Sequence, residues 1–304
     1  MPRLVVTGAN GALGRVFLER ALARPGVEVT ALVRSARAES QLGGLDPARV
    51  RVLRVAWSDA PALRAACQGS AGVTHLAGIL IPSRSESYAG ANVETTRAIA
   101  AAAAAAGVAK LVLVSAVGAD PRSPNSYYRS KGEAEEVIRG SGLPYTILRS
   151  PLLLACDSIG AHVLARAARA PIVPLLAGGT NLEQPADARD LAEAALNAAL
   201  DPACARDQTL DLVGPESLPR RELVARCARL RGRSPIVVSV PVAWVRAALG
   251  LRERWLGPGF SAEVLQVLLD DVRLDPAPAA RALRVALHPL DATLERTLEL
   301  EAAA

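Results

Sequence analysis

Residues Val5–Arg15 read VVTGANGALGR, with three glycines spaced as GxxGxxG. An apolar run, Leu4–Val6, precedes the first glycine, and a helical pattern follows at about residues 14–24. A second apolar run occupies residues 27–33. A strand that turns into a helix through glycines lets a pyrophosphate reach the first N–H groups of the helix, because no Cβ blocks the approach. This context, more than the glycines alone, predicts a dinucleotide-binding turn, with an ordinary glycine-rich turn as the alternative.

The composition limits the class of protein. A chain of 304 residues can bury a large core, as one large or two modest domains. Apolar residues make up 51% of the chain, but Arg, Asp and Glu interrupt them. No run therefore reaches the roughly 18 unbroken apolar residues of a membrane span. Because the first strand starts at residue 3, no room remains for a cleaved signal peptide. We expect a cytoplasmic protein with no integral membrane segment.

Neither the cysteines nor the positive charge indicates a metal or a nucleic acid. The cysteines show neither CxxC nor metal-like histidine spacing and predict no metal site: Cys67, Cys156, Cys204 and Cys227. The net charge of +5 comes from dispersed arginines. Their densest group, residues 220–233, alternates with leucine and valine as a solvated amphipathic helix does. We therefore expect no nucleic-acid partner.

Strands and helices alternate through the first half of the chain, which predicts a parallel sheet covered on both faces. After the two apolar runs, further strands are predicted at residues 50–55, 72–76, 110–115 and 145–148. Helices are predicted between them at about residues 60–67, 91–106 and 126–140. The expected class is α/β, a Rossmann-type doubly wound parallel sheet.

The alternation ends after Pro151. The pattern predicts a helical or irregular segment, a loop, a helix, a strand that rejoins the sheet, and a mostly helical remainder, at residues 152–170, 171–179, 187–200, 209–213 and 216–304. We expect residues 1–151, with 182–213 returning to them, to form a dinucleotide-binding domain. A smaller, mostly helical substrate-binding lobe is expected from residues 152–181 and 214–304.

A second set of residues comprises Ser115, Tyr127 and Lys131. Ser115 ends a central strand, and strand carboxyl ends line the ligand crevice of open parallel sheets. Tyr127 and Lys131 are four residues apart on a predicted helix, so both side chains project from one face. An ammonium near a phenol lowers the pKa of the phenol, which makes Tyr127 a candidate proton donor at neutral pH. Tyr128 is the rival candidate.

Several segments between roughly residues 3 and 220 carry a family resemblance. They are TGANGALG at 7–14, HLAG at 75–78, NVETT at 92–96, LVSAVG at 113–118, YYRSKGEAE at 127–135, ILRSP at 147–151, QPADARDLA at 184–192 and GPE at 214–216. In these the chain resembles short-chain dehydrogenases/reductases of the extended or atypical type. It is similar to the NAD(P)-binding group that includes NmrA-like and complex I 39-kDa-subunit-like proteins.

The resemblance implies which residues bind the cofactor. Residues of the glycine turn would hold the pyrophosphate: Gly8, Asn10, Gly11, Ala12, Leu13 and Gly14. Other residues would contact the adenosine or nicotinamide ends: Trp57, Leu76, Ala77, Gly78 and Pro151. Lys131 would bind the nicotinamide ribose.

The resemblance also implies catalytic roles. Ser115 would orient a substrate carbonyl, Tyr127 would donate or accept its proton, and Asn92 would support a relay. Two positions depart from the family pattern. Where the family usually has an acidic residue near the adenine, this chain has Ala56 and Trp57, so that contact would be main-chain or stacking. The usual glycine near the nicotinamide end is replaced around residues 155–156.

Arg34 bears on which cofactor is bound. It follows the second strand, where an NAD-preferring domain would carry Asp or Glu for the ribose hydroxyls. An arginine suits a 2′-phosphate instead, and Arg37 could assist it. We therefore expect NADP(H), with NAD(H) as the alternative.

The sequence predicts an NAD(P)H-dependent oxidoreductase that transfers a hydride between nicotinamide and a small-molecule carbonyl or alcohol. One alternative is a nucleotide-sugar epimerase or dehydratase that holds NAD tightly, and another is a non-catalytic NAD(P)-sensing or assembly-type protein. Trp244, Trp255 and Phe260 are expected to line an apolar pocket or to form the core of the lobe. The identity of the substrate stays open, and so does the oligomeric state, with a homodimer as one option.

Overall fold

The structure is a computed structural model that describes residues 1–256 and 258–303. The strands β1 to β13 are, in chain order, Arg3–Thr7, Glu28–Val33, Val50–Arg54, Gly72–His75, Leu111–Ala116, Tyr145–Ser150, Leu153–Leu154, Ile172–Leu176, Leu182–Glu183, Ala186–Asp187, Gln208–Asp211, Leu218–Pro219 and Ile236–Val240. The helices α1 to α12 are Ala12–Ala23, Ala36–Ser40, Ala60–Cys67, Thr95–Ala105, Ser126–Arg139, Ile159–Arg169, Ala188–Leu200, Arg220–Arg229, Val242–Leu256, Ala262–Val267, Ala277–Ala282 and Leu290–Ala303.

Seven parallel strands form the central sheet, in the order β3-β2-β1-β4-β5-β6-β11. Val5 of β1 lies opposite Thr30 of β2 on one side and Val73 of β4 on the other. The chain winds outward from β1 in one direction and from β4 in the other. The carboxyl ends of these two strands therefore border the crevice where ligands bind in such sheets. The predicted Rossmann-type doubly wound fold is confirmed.

Each face of the sheet has its own apolar core, because side chains alternate along a strand. Leu4 of β1 is buried with Phe17 of α1 and Leu191 of α7. Val5, the next residue, is buried on the other face with Ile99 of α4. Helices α3, α4 and α5 cover this second face. Burial on both sides fixes the strand register and so the height at which each strand ends.

Side-chain caps start two of the helices that matter for the site. Asp59 accepts a hydrogen bond of 3.0 Å from the main-chain N–H of Ala62 at the start of α3. Asn125 caps α5, and its Oδ1 accepts a hydrogen bond of 3.0 Å from the N–H of Tyr127. The cap of α5 thus fixes where the helix begins and where Tyr127 lies.

The smaller part of the molecule packs α6, α8 and α12 around β8, with Leu164, Leu223 and Leu290 in its core. The prediction of a loop at residues 171–179 is wrong in part, whereas the segment from residue 216 is mostly helical as predicted but includes two short strands. β8 lies in the first range and pairs in parallel with β13 in the second. β13 reads IVVSV, a β-branched run between prolines, and a two-stranded ribbon tolerates the missing N–H groups of the prolines near and within β8.

The last strand of the central sheet, β11, comes late in the chain. It pairs in parallel with β6, with Thr209 opposite Ile147. The chain thus leaves the sheet after β6, forms part of the smaller unit, and returns. Among the helices that the structure describes, none has both the length and the apolar character needed to cross a membrane.

Candidate functional site

The glycine turn after β1 is shaped to accept an anion. Gly8 has a φ of +69°, a conformation that side chains rarely adopt. A Cβ on Gly14 would lie 2.2 Å from the carbonyl oxygen of Gly8, so α1 packs directly onto the turn. Gly11 caps α1 and contributes no side-chain hydrogen bond. The first N–H groups of α1, at Ala12 and Leu13, therefore meet a ligand without competition from a capping side chain, which fits a pyrophosphate.

The chain after β4 lies against this turn. A Cβ on Gly8 would be 2.8 Å from the nitrogen of Ala77, and the N–H of Leu76 donates to the carbonyl of Thr7 over 3.2 Å. Asn10 donates from Nδ2 to Gln41 Oε1 over 3.1 Å. The contacts bring together the two segments expected to hold the pyrophosphate and the adenosine.

His75, at the end of β4, is fully buried between Thr7 and Trp57. Its Nδ1 lies 2.6 Å from Thr7 Oγ1, and Trp57 packs edge-on with ring centroids 6.2 Å apart. Burial and the nearby charge of Lys131 lower the pKa of His75 to about 3, so the ring is neutral at physiological pH. The side chain of Trp57 also packs in the core beneath α3 and α4.

Arg34 directly follows β2, and its side chain is about half exposed. It forms an ion pair with Glu86, which lies in the segment after β4. The sequence suggested no partner for Arg34, since 52 positions separate it from Glu86. Arg34 thus lies at the carboxyl end of β2, the strand next to β1 and its glycine turn, with its charge balanced by Glu86.

Ser115 and Lys131 lie together at the end of β5. Lys131 is buried, and its Nζ donates a hydrogen bond of 2.9 Å to the carbonyl of Val114. Ser115 is buried too, and its Oγ has no hydrogen-bond partner among the described residues. A Cβ on Gly78 would lie 3.6 Å from Lys131 Nζ, so no side chain separates the lysine from the segment after β4. An unpartnered buried hydroxyl beside a buried ammonium marks a polar site that a ligand can complete.

Asn92 lies in a π-helical turn, Ala89–Glu94, that leads into α4. Its Oδ1 accepts from the N–H of Ile79 over 2.8 Å, and its Nδ2 donates to Ser130 Oγ over 2.9 Å. The amide thus ties the segment after β4 to α5. Insertions of this kind are frequent at functional sites, and no pattern in the sequence predicted this one.

Tyr127 lines a cavity of about 280 Å³ at the carboxyl ends of β5 and β6. Pro151 lines it as well, together with residues of α6, α10 and β9. Tyr128, the rival candidate, donates from its hydroxyl to Asp270 Oδ2 over 3.0 Å. Tyr128 also lines the cavity, but its hydroxyl proton is engaged by Asp270, so we favour Tyr127 as the residue that acts on a ligand.

The expectation that Lys131 lowers the pKa of Tyr127 is wrong for the side chains as they lie. Burial raises the pKa of the Tyr127 phenol well above its ordinary value, and the neighbouring Tyr88 adds to the rise. Burial also lowers the pKa of Lys131 to about 8, although Glu135 opposes the shift. Desolvation therefore dominates both groups and disfavours both charged forms.

The tryptophans of the helical lobe do not lie where the sequence suggested. Trp244 and Trp255 on α9 are 75% and 76% exposed, so neither lines the cavity or forms the lobe core. The cavity instead contains residues that the sequence analysis missed, Glu183 on β9 and Asp270 after α10. Glu183 could have been found from the sequence, because it directly precedes the QPADARDLA segment that carries the family resemblance. No sequence pattern marks Asp270.

One cluster of possible metal ligands lies outside this region. The ligand atoms of Asp187, Asp190 and His288 all fall within 4.8 Å of one another. Asp187 accepts from Thr293 Oγ1 over 2.9 Å and pairs with Arg296, while Asp190 contacts the ring and main chain of His288. These contacts account for both carboxylates and tie α12 to α7.

Comparisons with known proteins fit this geometry. The profile of a protein family described as NAD(P)H-binding matches residues 8–174. The chain is 30% identical over 247 residues to (4-alkanoyl-5-oxo-2,5-dihydrofuran-3-yl)methyl phosphate reductase of Streptomyces griseus, over 81% of this chain and 80% of that protein. It is 28% identical over 260 residues to ceramide reductase of Caulobacter vibrioides, over 83% and 78%.

A third relative, from a plant, is named as a subunit of an NADH dehydrogenase. The chain is 27% identical over 254 residues to NADH dehydrogenase (ubiquinone) 1 alpha subcomplex subunit 9, mitochondrial, of Arabidopsis thaliana, and spans 62% of the length of that protein.

Solved structures share the fold. MoeE5 in complex with UDP-glucuronic acid and NAD superposes with a TM-score of 0.75 at 21% identity, over 99% of both chains. UDP-glucuronic acid 4-epimerase from Bacillus cereus in complex with NAD superposes with a TM-score of 0.77 at 14% identity, again over 99% of both. The glycine turn, the crevice beside it and the matched profile lead to one conclusion: the chain belongs to the NAD(P)H-binding family.

Proposed function

We propose that this protein is an NAD(P)H-dependent carbonyl reductase in which Tyr127 donates a proton to the substrate oxygen. The observation that carries the proposal is the position of Tyr127. It lines a cavity at the carboxyl ends of β5 and β6, one helical turn from the buried Lys131. A carbonyl group in that cavity would meet the phenol of Tyr127, while Ser115 and Lys131 do not line the cavity and lie at the end of β5, the strand that the cavity borders.

The glycine turn and the segment after β4 would hold the cofactor. Gly8 and Gly14 let the turn pack closely against the segment after β4 and against α1, and the first N–H groups of α1 would bind the pyrophosphate. Ala77 and Gly78 would contact the adenosine side, and Lys131 would donate to the nicotinamide ribose. When bound, the reduced nicotinamide supplies the hydride that adds to the carbonyl carbon.

The phenol of Tyr127 is protonated at neutral pH and can give its proton to the substrate oxygen. Burial raises its pKa, so the bound substrate and cofactor would have to stabilise the phenolate that the transfer leaves. Lys131 is charged below a pH of about 8, and its role here would be to hold the nicotinamide ribose. Ser115 would hold the same oxygen through its free Oγ hydrogen. Asn92 would position the chain around Lys131 rather than touch the substrate.

We propose NADPH as the preferred cofactor. Arg34 could pair with a 2′-phosphate by exchanging its present partner, Glu86. The phosphate would have to offset the loss of a partner for Glu86, whose Oε1 is buried, although the guanidinium itself is half exposed. Residues 1–151 with 182–213 would act as the dinucleotide-binding unit, and residues 152–181 and 214–304 would select the substrate.

A non-catalytic assembly role is the second candidate, and the exposed tryptophans of α9 favour it. Trp244, Leu251 and Trp255 recur at spacings of seven and four, so they share one exposed face of the helix. Such a face is typical of a protein interface. The named plant relative belongs to a respiratory complex, which is in line with this candidate.

Consumption of NADPH with a panel of aldehydes and ketones tests the proposal. The expected result is turnover by the wild-type protein, a loss of at least about a thousandfold in Tyr127→Phe, and substantial activity in Tyr128→Phe. NADPH affinity, measured by fluorescence titration, should be unchanged in Tyr127→Phe. Turnover that survives in Tyr127→Phe and disappears in Tyr128→Phe would assign the acid to Tyr128. NADPH binding without turnover on any carbonyl would favour the assembly role.

A further inference from the structure

The cavity beside Tyr127 has a mostly apolar wall. Its lining residues include aliphatic side chains from four parts of the chain: Leu80, Val117, Leu152, Ile159, Val267 and Leu268. Among the lining residues that the structure describes, there is no arginine, lysine or histidine. The wall therefore offers a ligand apolar surface and no side-chain cation.

The charges that do line the cavity are negative. Glu183 and Asp270 each present a carboxylate. Asp270 is occupied, since it accepts from the Tyr128 hydroxyl and from Gln266 Nε2 over 2.6 Å. The N-terminus of α6 adds partial positive charge near Ile159, but one helix end carries only about half a charge. The carboxylate of Asp270 would oppose a phosphate or diphosphate here, and so would that of Glu183 to the extent that Arg220 does not neutralise it.

Glu183 is 7% exposed and only partly paired. It forms an ion pair with Arg220 through Oε1, and the side chain of Asn181 also stabilises the carboxylate; Oε2 is buried and has no hydrogen bond of ordinary geometry from the described residues. Burial raises the pKa of Glu183, and Arg220 and Asn181 oppose the rise. A buried carboxylate oxygen without a partner is costly, so a ligand that supplies a donor would gain from meeting it.

Ile159 shows where the cavity opens. It lines the cavity and is nevertheless 56% exposed, at the start of α6. Val163, one turn further along α6, is 46% exposed. A hydrocarbon chain that leaves the cavity past Ile159 would therefore continue to meet apolar surface.

We propose that this cavity binds an uncharged, largely apolar carbonyl compound whose hydroxyl or amide N–H donates a hydrogen bond to Glu183 Oε2. The inference rests on the proposed reductase function, which it narrows to a class of substrate. Glu183 would be the residue that recognises the donor. The apolar wall would bind the hydrocarbon part, and the two carboxylates would exclude anionic substrates such as nucleotide sugars.

Calorimetric titration of the protein saturated with NADP⁺ tests the inference without requiring turnover. The probes are a linear ten-carbon methyl ketone and two analogues of it. Each analogue carries one hydroxyl, placed on the first or on the second chain carbon beyond the carbonyl carbon. At least one hydroxylated ketone should bind about tenfold more tightly than the parent ketone, which corresponds to about 1.4 kcal/mol. Glu183→Leu should reduce this preference to less than about twofold. Glu183→Gln should keep most of it, because the amide oxygen still accepts a hydrogen bond.

Glu222→Gln is the matched control. Glu222 lies on α8, pairs with Arg229 at the surface and does not line the cavity, so the preference should stay at the wild-type value. Each preference is the ratio of the dissociation constants of two ketones measured on the same protein sample. The ratio for the wild-type protein therefore tests the inference even if Glu183→Leu fails to fold.

Three results would overturn the inference: equal binding of all three ketones, or no binding of any, by the wild-type protein; a preference that survives in Glu183→Leu; or tighter binding of UDP-glucuronic acid or a phosphorylated ketone than of the hydroxylated ketones. If the hydroxylated ketone binds more tightly but NADPH is not oxidised, the inference about the cavity holds and the proposed reductase function is wrong. If NADPH is oxidised but no ketone is preferred, the reductase function holds and the inference about Glu183 is wrong.

Discussion

Lys131 donates a hydrogen bond of 2.9 Å from Nζ to the main-chain carbonyl of Val114. The bond joins α5 to β5 immediately before Ser115, and it fixes the ammonium at the carboxyl end of the sheet. The neutral amine could donate the same hydrogen bond. The bond therefore positions the lysine in either charge state, while burial decides how much charge it carries.

The low pKa of Lys131 should appear in the pH dependence of stability. Its pKa falls from 10.5 in an unperturbed lysine to about 8 in the folded protein. Between these values the unfolded chain binds the extra proton, so the contribution of this group to the free energy of unfolding rises with pH. Urea unfolding of the wild type and of Lys131→Met, compared across this range, should show a rise that the variant lacks. Parallel curves for the two proteins would mean that burial does not perturb Lys131.

His75 should destabilise the protein in acid. Its pKa falls from 6.5 to about 3, so between these pH values His75 is protonated in the unfolded chain and neutral in the folded protein. Stability from this group is therefore fully present above about pH 6.5 and is lost as the pH falls towards 3. The acid-unfolding midpoint of His75→Gln, followed by circular dichroism, should lie at a lower pH than that of the wild type. A midpoint at the same or a higher pH speaks against a buried neutral histidine.

The packing of α1 onto the glycine turn should tolerate no side chain at Gly14. Gly14→Ala would place a Cβ 2.2 Å from the carbonyl oxygen of Gly8, which is main chain and cannot rotate away. We expect a loss of about 3 kcal/mol in stability and at least tenfold weaker NADPH binding. Gly44→Ala is the control, since nothing lies within 4 Å of its Cβ position and its φ is not positive. Equal stability of the two variants, measured by thermal unfolding, would contradict the close approach.

The ion pair between Arg34 and Glu86 should set the preference between NADPH and NADH. Arg34→Gln should weaken NADPH binding about tenfold and leave NADH binding nearly unchanged, because only NADPH carries the 2′-phosphate. Glu86→Gln should strengthen NADPH binding, because it frees the arginine. Arg206→Gln, at an exposed ion pair with Asp207, serves as the control. If Arg34→Gln weakened the binding of NADPH and of NADH equally, Arg34 would not bind the 2′-phosphate.

The local parts of the fold follow from the sequence. The strand, the glycines and the helix around residues 5–15 are neighbours in the chain, and glycine geometry alone decides how they turn. The further strands of the sheet could also be predicted locally, because each is an apolar run of strand length followed by a helical pattern. The β8–β13 ribbon could not be predicted in this way. Its strands are far apart in sequence, and proline in β8 is a usual sign of a loop.

The electrostatics of the site depended on contacts between distant residues. The spacing of Tyr127 and Lys131 predicted a shared helix face, but the pKa of Tyr127 follows from how deeply packing buries the phenol. The partners of Arg34, Tyr128 and Glu183 are likewise set by the tertiary fold. A sequence pattern can predict which side chains share an element, and the three-dimensional structure decides which of them keep their charge.

Transfer of deuterium from NADPH that carries deuterium at both C4 positions of the nicotinamide tests the carbonyl reductase directly. We predict that mass spectrometry will find one deuterium on the carbinol carbon of the alcohol product for each NADP⁺ formed, and almost no labelled product with Tyr127→Phe. An enzyme that recycles its cofactor, or a protein that only binds it, would leave the labelled NADPH unconsumed and the carbonyl compound unlabelled. That outcome, with NADPH bound at saturation, would contradict the account.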